Sequence, residues 1–162
     1  MTTVARHRPA PARPPMAATA AGATVLQVVM GLLALLGLGL AGYMSYTDLT
    51  SNALVCGGIG DCDTVHASAY SKLLGVPVSL LGFVSYAAIA ALLAARLRLG
   101  NDMGHLAALG MVVVGVSGAI FSAYLTYVEL FVINAVCPWC VASAIVVTAL
   151  AALALSDAHG GP

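Results

Sequence analysis

Residues 106–155 read LAALGMVVVGVSGAIFSAYLTYVELFVINAVCPWCVASAIVVTALAALAL, and Glu129 is the only charge in the run. At about 1.5 Å of rise per residue, 18 helical residues cover roughly 27 Å, close to the ~30 Å hydrocarbon core of a bilayer. The run is long enough for two crossings, and Glu129 divides it where a turn must meet water. Two transmembrane helices follow, at 106–128 and 137–155, joined by an outer turn at 129–136.

Outward from this run, the stretches Thr24–Tyr46 and Val78–Ala95 are also free of charge. They give two more helices, at about 24–46 and 78–97. The whole chain of 162 residues is 61% hydrophobic and 7% charged, with a mean hydropathy of +1.01. A soluble domain carries far more charge, so lipid is the expected solvent. Backbone polar groups in lipid must be satisfied within the segment, which makes these spans helices. Gly115, Gly118, Ala119 and Ser122 put small side chains along one helix and let a neighbour approach closely. The expected fold is therefore all-α: an integral membrane bundle of four helices. The few basic residues form no stripe that could track phosphates, which excludes nucleic-acid binding.

Arg6, Arg8 and Arg13 precede the first helix, Arg96 and Arg98 follow the second, and Lys72 alone lies between. The positive-inside rule puts the five arginines in the cytoplasm. Both termini are then cytoplasmic, and the 47–77 loop and the 129–136 turn face outside. Residues 1–22, rich in Pro, Ala and Arg, read as a disordered tail, the membrane domain as 23–156, and 157–162 as a short cytoplasmic tail. A signal peptide over 1–46 would have too long an apolar core and lacks a convincing cleavage site.

The four cysteines, Cys56, Cys62, Cys137 and Cys140, all fall at the outer ends of the spans or in the outer loop, where disulfides can form and persist. Cys137-Pro138-Trp139-Cys140 opens the last helix. Residues i and i+3 share a helix face, so the two sulfurs can meet, and Pro138 suits a first turn. Free N–H groups there favour a thiolate, which makes the pair redox-active. Between Cys56 and Cys62, Gly57, Gly58 and Gly60 make a pliable loop that can close a disulfide or swing open. A short helix is expected over 63–74, with Val65, Ala69 and Leu73 on its apolar face and Gly75 and Pro77 ending it. It would lie as a lid over the C-x-x-C. Three readings of the cysteines stay open: a dithiol relay, two static structural disulfides, and a four-thiolate zinc site. The helix-start C-x-x-C favours the relay.

This pattern resembles the vitamin K epoxide reductase family in its bacterial form. The matching features are the loop pair Cys56 and Cys62, then Ser68, the segment Tyr70-Ser71-Lys72-Leu73-Leu74-Gly75-Val76-Pro77 with Leu81-Gly82, and Tyr124-Leu125 ahead of the final C-P-W-C. The resemblance covers roughly residues 25–155. It implies a quinone-dependent thiol-disulfide oxidoreductase of the cytoplasmic (inner) membrane, with no metal. Cys56–Cys62 would be the shuttle disulfide and Cys137–Cys140 the quinone-side disulfide. The acceptor would be menaquinone or ubiquinone, held near Cys140 and Trp139, with Ser68 in support. Animal members carry a tyrosine and an asparagine where this chain has Ala144 and Val78, which favours plain quinone reduction over epoxide reduction. Since the chain ends at Pro162 without a thioredoxin-like domain, the expected partner is a separate DsbA-like or thioredoxin-like protein.

In the implied relay, the partner attacks at Cys56, Cys62 exchanges with Cys137, and Cys140 faces the quinone. The DsbB-type quinone reductases share the reaction class but place their C-x-x-C in the first outer loop. A rival from another class is a non-catalytic membrane protein with structural disulfides. Asp48, Asp61, Asp63 and Glu129 are expected to mark the outer water boundary. His66 is expected to be a solvated lid histidine, with proton transfer to the quinone as its alternative role. Trp139 reads equally as an interfacial anchor.

Overall fold

The computed structural model describes residues 16–50, 52, 54–56, 60–99 and 101–159. Four long helices dominate: α1 (Met16–Thr50), α3 (Val78–Arg98), α4 (Asn101–Val128) and α5 (Pro138–His159), with a short α2 (Cys62–Ala67) in the loop after α1. Each long helix is long and apolar enough to cross a membrane, so the protein is a multi-pass membrane bundle. α1 begins at Met16 rather than at Thr24, and residues 1–15 of the expected tail lie outside the described residues. α4 starts at Asn101 and α5 runs to His159, each past the expected boundary, because a helix needs no apolar side chain to continue into water.

Packing follows from small residues at the crossings. A Cβ on Gly115 would stand 3.1 Å from the Ala151 Cα, and one on Gly118 would stand 3.0 Å from the Val147 side chain. These two glycines therefore set the α4–α5 distance. At Gly37 a Cβ would overlap the Tyr86 ring, so α1 leaves a groove for that ring. Tyr86 then crosses the bundle and donates its hydroxyl to the Ser143 carbonyl at 2.8 Å. At the opposite end from the cysteines, Arg96 of α3 pairs with the buried Asp157 of α5 at 3.0 Å.

The lid departs from the single helix expected over 63–74. α2 starts at Cys62, where Asp61 caps it by accepting the Thr64 N–H at 3.1 Å and the Thr64 hydroxyl at 2.6 Å. It stops at Ser68, whose own hydroxyl and N–H both turn back to the Val65 carbonyl. A serine that bonds its own backbone competes with the helix ladder. A 3₁₀ turn (Ala69–Ser71) follows, then a small hairpin pairing β1 (Lys72–Leu73) with β2 (Val76–Pro77). Leu74 (φ 53°) and Gly75 (φ 85°) form its tip, the two positive φ angles that a two-residue hairpin turn requires. Gly75 and Pro77 thus build the hairpin rather than merely ending a helix.

α4 also ends differently from expectation. Its last turns widen into a π-helical segment over Glu129–Ile133, closed by Asn134 in the left-handed region at φ 56°. Asparagine tolerates that conformation better than most residues. The Glu129 carbonyl accepts the Ala135 N–H at 3.1 Å. The widened turn places Glu129 inward beneath the start of α5.

Candidate functional site

All four cysteines gather at one end of the bundle, in a cluster that includes Met44, Leu54, Val65, Tyr43 and Trp139. Cys56 and Cys62 are joined by a disulfide, with Cα atoms 6.3 Å apart. Cys62 is buried and Cys56 half-buried, so the partner-facing role expected of Cys56 falls on the more accessible sulfur. Of the loop glycines, Gly57 and Gly58 lie outside the described residues. Gly60 sits at φ +81°, where a Cβ would collide with the Val136 carbonyl and the Pro138 ring.

Cys137 and Cys140 stand as two free thiols in this structure, side by side at the start of α5. The loop pair thus stands as a disulfide and the C-x-x-C pair as a dithiol. Cys137 caps α5, its carbonyl accepting the Val141 N–H at 3.1 Å, and Pro138 occupies the first helical position as expected. Cys137 is 0% exposed. It lies between the loop and the bundle, while Cys140 opens inward.

The loop is tied to the C-x-x-C at two points. The Asp61 N–H donates to the Val136 carbonyl at 3.1 Å, and the Trp139 indole N–H donates to the Val55 carbonyl at 3.2 Å. Tyr43 completes the second tie, packing on Trp139 at 5.2 Å between ring centroids and accepting the Val55 N–H. In each case the residue just before a loop cysteine is the one held. Trp139 thus holds the loop, and it is not among the residues lining the cavity at Cys140.

That cavity, about 340 Å³, is bounded by Ala41, Met44, Val78, Ser79, Gly82, Tyr86, Gly118, Phe121, Ser122, Leu125, Glu129, Cys140, Ser143 and Val147. It takes residues from all four long helices and has mainly apolar walls. A few hydroxyls and one thiol converge on it, the character of a small-molecule site. A flat, apolar ring carrying two acceptor oxygens fits such walls, so the residues present suit a quinone head group. A smaller cavity adjoins it, lined by His66, Ser68, Tyr70 and Val65. It shares Met44, Val78, Leu125, Glu129 and Cys140 with the first. Ser68 lines this smaller space, but its hydroxyl is committed to the Val65 carbonyl at 2.7 Å.

Two residues expected at the water boundary, Glu129 and Asp48, meet the site instead, together with His66, expected as a solvated lid histidine. Glu129 is only 4% exposed, and its carboxylate accepts the Cys137 N–H at 3.1 Å. His66, half-buried, is 2.7 Å through Nδ1 from Asp48, and Asp48 also accepts the Ser79 hydroxyl. The His66 ring, the Cys137 sulfur and the Cys140 sulfur all lie within 4.8 Å of one another. Hydrogen bonding from Cys140 lowers the Cys137 pKa most, with further lowering from His66, and together they outweigh the opposing burial. Burial alone would depress the His66 pKa, but Cys137 and Asp48 together raise it above its ordinary value. Each thus favours the charged form of the other. Asp61 and Asp63 remain exposed, as expected of boundary residues.

This arrangement, an oxidised pair fastened over a reduced one whose second thiol enters an apolar cavity, can pass a disulfide between two pairs. Compared with known protein families, the chain matches the vitamin K epoxide reductase family over residues 28–155, most of its length, and so belongs to that family of membrane thiol-disulfide oxidoreductases.

Proposed function

We propose that this member of the vitamin K epoxide reductase family oxidises an extracytoplasmic thioredoxin-fold thiol protein of the DsbA type and reduces a membrane quinone, menaquinone or ubiquinone. The observation that carries the reading is the opposite placement of the two C-x-x-C thiols. Cys137 is buried in one cluster with the loop disulfide and Cys140 lines the cavity, so electrons entering from outside would leave toward the membrane interior.

A partner thiolate attacks Cys56, breaking Cys56–Cys62 and freeing Cys62 as a thiolate. The partner's second thiol then releases Cys56, leaving the partner oxidised and the loop a dithiol. With the C-x-x-C pair oxidised, Cys62 attacks the Cys137 sulfur and displaces Cys140. Cys56 next attacks Cys62 and displaces Cys137. The loop is again a disulfide and Cys137–Cys140 a dithiol. Re-forming the Cys137–Cys140 bond gives up two electrons, which a quinone accepts together with two protons. A partner poised near −120 mV, as DsbA is, requires an acceptor of quinone-like potential. The lowered Cys137 pKa makes it a good leaving group in the exchange. The chain's own share is to position the two pairs and exclude water around Cys137. Arg96 and Arg98, at the end opposite the cysteines, support a cytoplasmic-membrane location with the active end outside.

The test is anaerobic quinone reduction by the purified protein supplied with a reduced DsbA-like donor, with Cys140→Ala alongside. Turnover in the wild type that vanishes in the variant supports the relay with Cys140 at the quinone. An intact fold without turnover on ubiquinone or menaquinone, and a loop disulfide resistant to mild thiols, would turn the reading toward structural disulfides.

A further inference from the structure

Reducing a quinone consumes two protons for each pair of electrons, and the cysteine that must become a thiolate is enclosed. Cys137 is 0% exposed, so no bulk water reaches its thiol to take the proton. The groups able to do so must come from the protein, and the described residues place one beside it. We propose that Asp48, His66 and Cys137 form a proton relay, in which His66 takes the thiol proton of Cys137 and passes it toward the quinone cavity by way of Glu129. The inference rests on the dithiol–quinone reading above.

The geometry assigns each part. Asp48, at the outer end of α1, holds His66 Nδ1 at 2.7 Å, and its second oxygen is held by Ser79 of α3. Both carboxylate oxygens are thus engaged, which fixes the ring and leaves Nε2 as the nitrogen that exchanges a proton with the thiol. His66 reaches the site because α2 begins at Cys62, so the sulfur that exchanges with Cys137 and the base that serves Cys137 ride on one short helix. The titratable groups facing the ring are Asp48 from α1, Cys137 capping α5, Cys140 in its first turn, and Glu129 from the π segment. Glu129 and Cys140 line both cavities, so Glu129 is the polar group between the histidine and the quinone space.

The balance closes. In the reduced site, Cys137 is a thiolate, His66 an imidazolium and Cys140 a thiol. Forming the Cys137–Cys140 bond releases two electrons. The Cys140 proton and the His66 proton complete the hydroquinone and leave a neutral imidazole. When the loop dithiol re-reduces the pair, its two protons end on Cys140 and His66, and the Cys56–Cys62 bond returns.

The test uses the full-length protein with the Cys56–Cys62 disulfide intact and Cys137 and Cys140 as thiols, without quinone or partner, so its failure is distinguishable from failure of the quinone reading. The ultraviolet absorbance of thiolate is titrated in the wild type, His66→Gln, Asp48→Asn and Cys137→Ser. The component lost in Cys137→Ser should ionise below the ordinary thiol range in the wild type. It should move up by about one pH unit or more in His66→Gln, and in the same direction but less in Asp48→Asn. Quinone reduction should fall roughly 100-fold in His66→Gln, the scale of a lost acid–base group. Circular dichroism and retention of the loop disulfide establish that each variant is folded, and Asp48→Asn decides the matter if His66→Gln is not. A Cys137 titration identical to wild type in the folded variants would overturn the relay and leave Asp48–His66 as a tie between lid and bundle.

Discussion

The amide of Asp61 donates to the carbonyl of Val136 at 3.1 Å, which fastens the residue before Cys62 to the residue before Cys137. A hydrogen bond one residue from each sulfur keeps the two in one register without joining them. In a variant carrying both Cys56→Ala and Cys140→Ala, the remaining cysteines should therefore cross-link under mild oxidation as Cys62–Cys137. Mass spectrometry of the unreduced protein checks this. Two free thiols persisting under those conditions would mean that the register does not bring them together.

Gly60 gives the same contact a second test. Its φ of +81° and a Cβ that would stand 2.3 Å from the Val136 carbonyl leave no room for alanine. Gly60→Ala should lift the loop off α5 while leaving the bundle intact. Misplacement by about 1 Å can cost roughly 100-fold in rate, so exchange between the pairs should slow on that scale with little change in melting temperature. The single tryptophan, Trp139, is bonded to the loop and reports the exchange by its fluorescence in stopped flow.

The spans and the cysteine end were legible in the sequence because long charge-free runs have one solution in lipid. The sites that escaped it share a different cause. Asp48, His66 and Glu129 look like residues at a water boundary, and only the widened π turn at Glu129–Ile133 and the early start of α2 turn two of them inward. The apolar spacing of Val65, Ala69 and Leu73 imitates a helix, yet Ser68 satisfies the Val65 carbonyl with its own side chain and ends it. The redox state of Cys137 and Cys140 is not written in residue types at all, since a C-x-x-C is competent both as dithiol and as disulfide.

Gly37 connects packing to the cavity. The Tyr86 ring fills the space where its Cβ would be, and Tyr86 also lines the cavity at Cys140. Gly37→Ala should destabilise the bundle by about 1–3 kcal/mol, the usual cost of overpacking. The displaced ring should also raise the KM for quinone. Thermal unfolding in detergent and steady-state kinetics measure the two effects. A lowered melting temperature with KM unchanged would separate the ring from quinone binding.

Stability should carry the signature of His66. Its pKa is raised above the ordinary 6.5, since Cys137 and Asp48 together outweigh the burial that opposes protonation. The folded state therefore binds the proton more tightly than the unfolded state does. By linkage, that stabilisation is fully present below pH about 6.5 and is lost as pH rises through the raised value. The reduced wild type should melt above His66→Gln at pH about 6, and the gap should narrow as pH rises through the raised value. Cys137 has the opposite sign, because its lowered pKa adds stability above the ordinary thiol range that disappears as pH falls through its folded value. A gap that widens toward high pH would mean that His66 is held neutral, and the imidazolium–thiolate pair would have to be abandoned.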